Sequence, residues 1–358
     1  MTKFTSLLIG SGDSFLIETG DKSYMIDSGG NQKTILSLIP KRINIAICTH
    51  NDSDHCKGFI GILNSNNHTI DEIWLPGLWA PIIDFMKKWN FDAGFPQENF
   101  NNIDLKNINL EDIDINELLT DTEENIDDLT DELGFLSDIE DFHFWRYFRY
   151  NINISNKIYF TISRILQIAK LAYNKGVAIK WFFPDCNGGS VINNFKPINC
   201  KHLLVMKGMK NQNLISFFQL AFITSENKHS LVFEYLIDRI PRILFTADSL
   251  ISITIPYSHQ IIVTAPHHGS HSNSQVYNNV KGEDLIWVRS DRPSFTRPCD
   301  NFLNLNTKYC LSCTKKHPVQ RGKIIFKFNN GKWNNCKGQL CKCNIQNNNI
   351  SPIPDNLE

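Results

Sequence analysis

Short apolar runs separated by Gly, Asp and Ser open the chain. Phe4–Ile9 and Ser14–Glu18 read as strands divided by Gly10-Ser-Gly-Asp13, and Lys22–Ile26 reads as a third strand ending at Asp27-Ser-Gly-Gly30. Gln32–Ile39 has the spacing of a short helix. Ile43–Cys48 is a continuous β-branched run, the pattern of a strand buried on both faces, and it delivers the chain to Thr49-His50. A helix is predicted to begin at Phe59–Leu63, and Glu72–Leu75 is a further buried strand closed by Pro76-Gly77. Alternation of strand and helix predicts a layered α/β architecture.

The pattern changes between about 80 and 155, where Asn and Asp become frequent. Leu110, Ile113, Leu118, Ile126, Leu129 and Leu133 recur at roughly helical intervals, predicting a mostly helical, acidic insertion with one apolar face. A helix over Ile158–Tyr173 and a strand over Val177–Phe183 resume the earlier pattern. Strands then dominate: Leu203–Met206, Phe217–Ile223, Ser230–Leu236, Ile243–Thr246 and Gln260–Thr264. We read residues 1–285 as one domain carrying the insertion, and 286–358 as a Cys-rich C-terminal extension with a frayed polar tail.

Composition narrows the class. With 358 residues, 42% hydrophobic and 20% charged, the chain can bury a large core and is not of the disordered type. It contains no run of roughly 20 apolar residues and no signal-peptide pattern at its start, so no membrane association and a cytoplasmic location are expected. A net charge of −1 hides an asymmetry: residues 103–141 hold 15 Asp or Glu against Lys106 alone, leaving 35 Lys+Arg against 22 Asp+Glu elsewhere. A basic body suits a polyanionic substrate such as nucleic acid, although on charge alone an ordinary solvated surface is the better account. The acidic stretch 103–141 is a candidate docking surface for a protein partner.

Chemistry concentrates at Thr49-His50-Asn51-Asp52-Ser53-Asp54-His55. Two imidazoles and two carboxylates packed so densely after a buried strand offset their desolvation by binding cations; the plain alternative is a polar loop with helix-capping Asp residues. At the other end, Cys310-Leu-Ser-Cys313 is followed by Cys336, Cys341 and Cys343, with Cys299 upstream. That spacing fits a structural tetrahedral zinc, or reduced thiols in a Lys-rich tail.

The histidine-rich stretch resembles the metallo-β-lactamase superfamily, whose hallmark is HxHxDH after a buried strand. Here it reads HxDxDH, with Asp52 in the second place, as in the C-terminal hydrolase domain of ComEC-type DNA-uptake proteins. Four further stretches agree in order: Gly10-Ser-Gly-Asp-Ser14 with that branch's GQGDS, Tyr24-Met-Ile-Asp-Ser-Gly29 with IDxG, Asn227-Lys-His-Ser-Leu-Val-Phe233 with NxxSLV, and Leu244-Phe-Thr-Ala-Asp248 with LLTGD. Pro266-His-His-Gly-Ser270 matches PHHGS.

The resemblance implies an αββα sandwich, two β-sheets flanked by helices, built around two divalent metal ions, zinc or manganese/magnesium. It assigns His50 and Asp52 to the first metal and Asp54 and His55 to the second. Asp248 would bridge them, and His268 would complete the second site. His267 would stand beside the bound phosphate or leaving group, and Asp27 would orient the metal-binding loop. The third ligand of the first metal is open: Asn227 and His229 fall at the right strand entry, yet His229 could equally face away. Two adjacent cations would turn a shared water into hydroxide, with Asp54 orienting it. Arg289, Arg292 and Arg297 could hold phosphates or be ordinary loop residues. The implied activity is a phosphodiesterase or nuclease, with a place in anti-phage defence. Alternatives are a hydrolase of small esters (a lactone or a phosphocholine ester) and a non-catalytic metal-binding assembly module.

Overall fold

The computed structural model describes residues 1–80, 82–83, 156–203, 229–292, 294, 297–312 and 322–341. Seventeen strands among these residues make two large sheets and a short ribbon. The first sheet runs β17 (Lys332–Lys337), β16 (Ile324–Asn329), β1 (Thr2–Ser6), β2 (Phe15–Thr19), β3 (Lys22–Ile26), β4 (Arg42–Ile47), β5 (Thr69–Pro76), β6 (Ala178–Pro184) and β8 (Cys200–His202). The second runs β15 (Lys308–Cys310), β14 (Leu285–Arg289), β12 (Ile261–Thr264), β10 (Ile240–Phe245), β9 (Phe233–Ile237) and β7 (Phe195–Pro197). Strands β11 (Ile255–Pro256) and β13 (Val280–Lys281) pair as the ribbon.

Side-chain alternation explains the layering. Tyr24, Ile26, Ile45, Ile47 and Trp74 of the first sheet share one core with Phe233, Ile243, Phe245, Ile262, Ile286 and Val288 of the second. Their neighbours Met25, Ala46 and Ile73 point the other way, onto helices α1 (Gln32–Leu36), α2 (Ser53–Asn64) and α3 (Asn156–Asn174). On the far side, Leu244, Val263 and Trp287 pack against Val276 and Phe302 of two single-turn helices. The expected αββα sandwich is therefore present. Each fully buried large apolar side chain contributes about 1.5–3 kcal/mol, and aromatic pairs such as Trp74 and Phe233, with ring centroids 5.8 Å apart, join the two sheets. No described helix is long and apolar enough to cross a membrane.

Parallel pairing positions the site. β3, β4, β5 and β6 run parallel in the first sheet, as do β10, β12, β14 and β15 in the second. The carboxyl ends of β3, β4, β10, β12 and β14 deliver Asp27, His50, Asp248, His267-His268 and Ser290 respectively. Loops at such strand ends are where open α/β sheets place ligands.

The expected boundary at 285/286 needs correction. It falls inside β14, and β14–β17 complete both sheets: β16 pairs with β1, and β14 lies between β12 and β15. Apolar burial on both faces of β14, not the cysteines after it, decides that this region belongs to the sandwich. Of the acidic insertion, residues 81 and 84–155 lie outside the described residues, as do Phe217–Ile223 and residues 204–206 of the strand expected at Leu203.

Candidate metal centre

β4 ends one residue before Cys48, and Asp27 catches the loop that follows, accepting from the Thr49 backbone N–H at 2.8 Å and its hydroxyl at 2.7 Å. Helix α2 starts inside the histidine motif rather than at Phe59, with Asp52 at its N-cap. An N-cap Asp normally accepts from a first-turn N–H. Here the Asp52 side chain makes no such bond, and its Oδ2 lies 3.7 Å from His50 Nε2. The capping alternative thus fails for Asp52. Gly12 lets the N-terminal turn approach α2, since a Cβ there would stand 1.6 Å from the Asp54 carbonyl oxygen. Asp27, Ala247, His267 and His268 all hold positive φ, a strain of about 1–2 kcal/mol each concentrated around one point.

Four imidazoles share one arrangement. His55 Nδ1 donates to Asp27 Oδ2 at 2.8 Å and His268 Nδ1 to Asp13 Oδ1 at 3.0 Å. His50 Nδ1 meets Thr49 Oγ1 at 3.0 Å, and that hydroxyl gives its proton to Asp27, so it accepts from the ring. His267 Nδ1 donates to Asn273 Oδ1 at 3.1 Å, because the Asn273 amide is spent on the carbonyls of Asp248 and Ser249. With every Nδ1 proton placed, each Nε2 is the nitrogen left to take a second proton or a metal ion.

Three of those Nε2 atoms face Asp248. Its Oδ2 lies 3.5 Å from His50 Nε2 and 3.6 Å from His267 Nε2, while Oδ1 lies 3.3 Å from His55 Nε2. His268 Nε2 stands 3.1 Å from Asp54 Oδ2 and 3.2 Å from His55 Nε2. Two nitrogen lone pairs that close repel unless a cation separates them. His50 Nε2 is buried and makes no hydrogen bond, which costs about 1–3 kcal/mol if left so. Both features fit divalent ions.

The electrostatics agree. Burial works against charge throughout, yet Asp248 and Asp52 hold the His50 imidazolium up to about 9 despite neighbouring His55. Burial likewise opposes charge on His268, but Asp13, Asp291 and Asp54 raise it to about 10. His55, also buried, is raised well above the usual range by Asp248 and Asp27. Asp13, Asp52, Asp54 and Asp248 all stay below the usual carboxylate range against burial, through facing histidines. The carboxylates create a strong demand for positive charge, and metal ions at the Nε2 atoms would satisfy it.

The structure brings His50, Asp52, Asp54, His55, Asp248, His267 and His268 together, with Asp27 behind them. Two buried trios have donor atoms within 4.8 Å of one another: His50, His55 and Asp248; and Asp13, His55 and His268. Asp13 belongs by distance, but its carboxylate already receives His268 Nδ1 and the Ser290 hydroxyl, so it holds the ring. His229 enters neither trio; it lies half-buried in the turn before β9, whose entry is tied to the loop by Leu231 N–H to the Thr49 carbonyl. Asn227 lies outside the described residues.

Arg289 is not a phosphate contact. It is fully buried and donates to the carbonyls of His268 at 2.6 Å, Ser312 at 3.0 Å and Arg292 at 3.3 Å, clamping the histidine turn. Asp13 and Ser290 were not assigned roles from sequence; Asp13 lay within a recognised turn, but its partner is 255 residues away. Of the cysteines, Cys299, Cys310 and Cys341 share one buried cluster, Cys336 is exposed on β17, and Cys313 and Cys343 lie outside the described residues.

Residues 8–129 match the family model of the Metallo-beta-lactamase superfamily. That match spans about a third of the chain and includes Asp27, His50, Asp52, Asp54 and His55, and the αββα sandwich with its strand-end cluster agrees with the fold of that superfamily. A solved structure of AidC, a dizinc quorum-quenching lactonase in complex with the product N-hexnoyl-L-homoserine, aligns at 11% identity. That alignment covers 92% of this chain and 80% of that one, with a TM-score of 0.32. No curated protein matches the chain.

Proposed function

We propose that this chain hydrolyses phosphodiester bonds in nucleic acid, with two divalent ions held on either side of Asp248. The observation that carries the two-ion reading is the Asp248 carboxylate, whose two oxygens face separate imidazoles at 3.5 and 3.3 Å. Bound there, the ions would lower the pKa of a water between them and offset negative charge growing on phosphate oxygens. The chain's own residues do the rest. Asp54, partly open to the cleft, holds the second position and orients the water; Asp27, Asp13 and Thr49 lock the rings. Three carboxylates, Asp52, Asp54 and Asp248, make a hard donor set that suits manganese or magnesium as well as zinc.

Phosphodiesters are favoured by the excess of Lys and Arg outside residues 103–141 and by the ComEC-like motifs. On this reading the protein works in the cytoplasm in anti-phage defence, with 103–141 docking a partner. The test is hydrolysis of single- and double-stranded DNA and RNA with Mn²⁺, Mg²⁺ or Zn²⁺, beside a lactone and a phosphocholine ester. Nucleic-acid cleavage that weakens steeply with salt is expected. Turnover of the small esters alone would overturn the substrate assignment. No hydrolysis at all, with a partner still bound by Asp54→Ala, would mark an assembly module instead.

A further inference from the structure

Helix α3 lays two buried polar side chains against the histidine motif, more than a hundred residues away in sequence. Arg164 Nε donates to the Asn51 carbonyl at 3.0 Å, and the Asn51 side-chain amide donates to Thr161 Oγ1 at 2.9 Å. We propose that Arg164 and Thr161 are positioning residues, which hold Asn51 so that the next residue, Asp52, is aimed at the first ion. This inference rests on the reading of Asp52 as a metal donor.

Three observations carry it. The first is how Asp52 is mounted. It sits at the N-cap of α2, yet its side chain makes no capping bond and is 24% exposed, with Oδ2 3.7 Å from His50 Nε2. Its backbone therefore sets where the carboxylate points, and the peptide leading into that backbone carries the Asn51 carbonyl. The second is the division of anchors along the loop. Thr49 N–H bonds Asp27, the Thr49 carbonyl takes Leu231 N–H, and the His50 carbonyl takes the Cys48 thiol at 3.0 Å. These hold the loop as far as His50. Asn51 is held by a separate set: Thr161, Arg164 and the Cys56 thiol, which donates to the same carbonyl at 3.2 Å. Of the two donors on that carbonyl the guanidinium is the charged one, and bonds from ionised donors are roughly twice as strong as neutral ones.

The third is the rigidity of the support. Thr161 and Arg164 stand one turn apart on the same face of α3. Ile162, Ile165 and Ile168 of that helix share a core with Cys56, Phe59 and Ile60 of α2, so the two helices flanking the motif move as one body. Asn51, Thr161 and Arg164 are 1%, 0% and 2% exposed, which keeps water from competing for their bonds. A guanidinium withdrawn this far from water needs fixed acceptors, and the Asn51 carbonyl is one of them.

The experiment is calorimetric Mn²⁺ binding to wild type, Arg164→Met, Asp52→Ala and the double variant, with Thr161→Val and Ile168→Ala alongside and melting followed by circular dichroism. Met keeps the apolar stem of Arg164 and removes its donors, whereas Ile168→Ala removes packing from α3 and no bond to Asn51. Arg164→Met and Thr161→Val should each lower affinity for one ion about 10- to 100-fold. Ile168→Ala should melt earlier but bind as wild type does. In the Asp52→Ala background, Arg164→Met should change affinity by less than about twofold, because its effect passes through Asp52. Should Arg164→Met not fold, Thr161→Val carries the same cycle. An equal loss with and without Asp52 would overturn the proposal, as would wild-type affinity in both α3 variants. A loss in Ile168→Ala matching that of Arg164→Met would also overturn it and make α3 a general support. Wild-type affinity in Asp52→Ala would remove Asp52 as a donor and the proposal with it. Fewer than two ions in wild type, with the cycle intact, would sink the two-ion reading and leave the positioning role standing.

Discussion

Asp13 and Asp52 are both buried or half-buried aspartates within reach of a site histidine, yet they do different work. Asp52 faces an Nε2 and so offers an oxygen to an ion; Asp13 faces an Nδ1 and so fixes a ring. Asp13→Asn should therefore leave both ions bindable but loosen His268, weakening second-site affinity about 10- to 100-fold with the fold retained. Calorimetric metal titration would read it, and unchanged affinity would refute the positioning role. The same geometry predicts a pH dependence for the metal-free protein. His50 and His268 rise from 6.5 to about 9 and about 10. Groups raised on folding contribute stability in full below the unfolded value near 6.5, and that contribution is lost as pH climbs through the folded values. Metal-free thermal stability should thus fall between about pH 6.5 and 10, while metal affinity rises because ions no longer displace protons. A flat melting profile over that window would contradict it.

At the level of elements, the tail bearing the cysteines is where sequence reading was least complete. Strand β15 ends at Cys310, and a bridge between Tyr309 and Leu340, with Cys341 N–H to the Lys308 carbonyl at 2.8 Å, brings Cys310 beside Cys341. If this is a structural zinc, Cys310→Ser should lose about one zinc per chain and lower the melting temperature while Mn²⁺ binding at Asp248 persists. Unchanged zinc content would assign these residues to ordinary packing. Elements were legible where apolar patterning was local and long, as in β4, α2 and β5. β7, β8 and β15 have three residues each, too few for any periodicity, and β17 buries Trp333 alone. The motif at 50–55 was legible because its ligands are dense in sequence. Arg289 misled because its burial is decided chiefly by the His268 and Ser312 carbonyls, 21 and 23 residues away, which nothing local to it reports.

For the whole molecule, the C-terminal strands and the site are one mechanical unit. Ser290 and Asp291 at the end of β14 reach the N-terminal turn: the Ser290 hydroxyl bonds Asp13, and Gly12 N–H donates to Asp291 Oδ1 at 3.2 Å. Arg289 grips the His268 carbonyl from the same strand end, and Ser312 Oγ secures the Asp291 carbonyl at 2.6 Å. β16 meanwhile covers the free edge of β1, contributing Ile324 and Phe326 to the inter-sheet core. A chain ended at 285 would remove most of β14, expose the edges of β1 and β12, and leave Asp13 without Ser290. Exposed edges of that length invite pairing between molecules. The shortened chain should therefore be recovered aggregated or without cooperative melting, and its metal binding should be lost together with its fold. The substitution Ser290→Ala separates the two effects: it keeps every strand but frees Asp13, so the protein should melt cooperatively while His268-dependent metal affinity falls. A soluble 1–285 fragment that melts cooperatively and binds two ions would show instead that the sandwich closes without its last four strands.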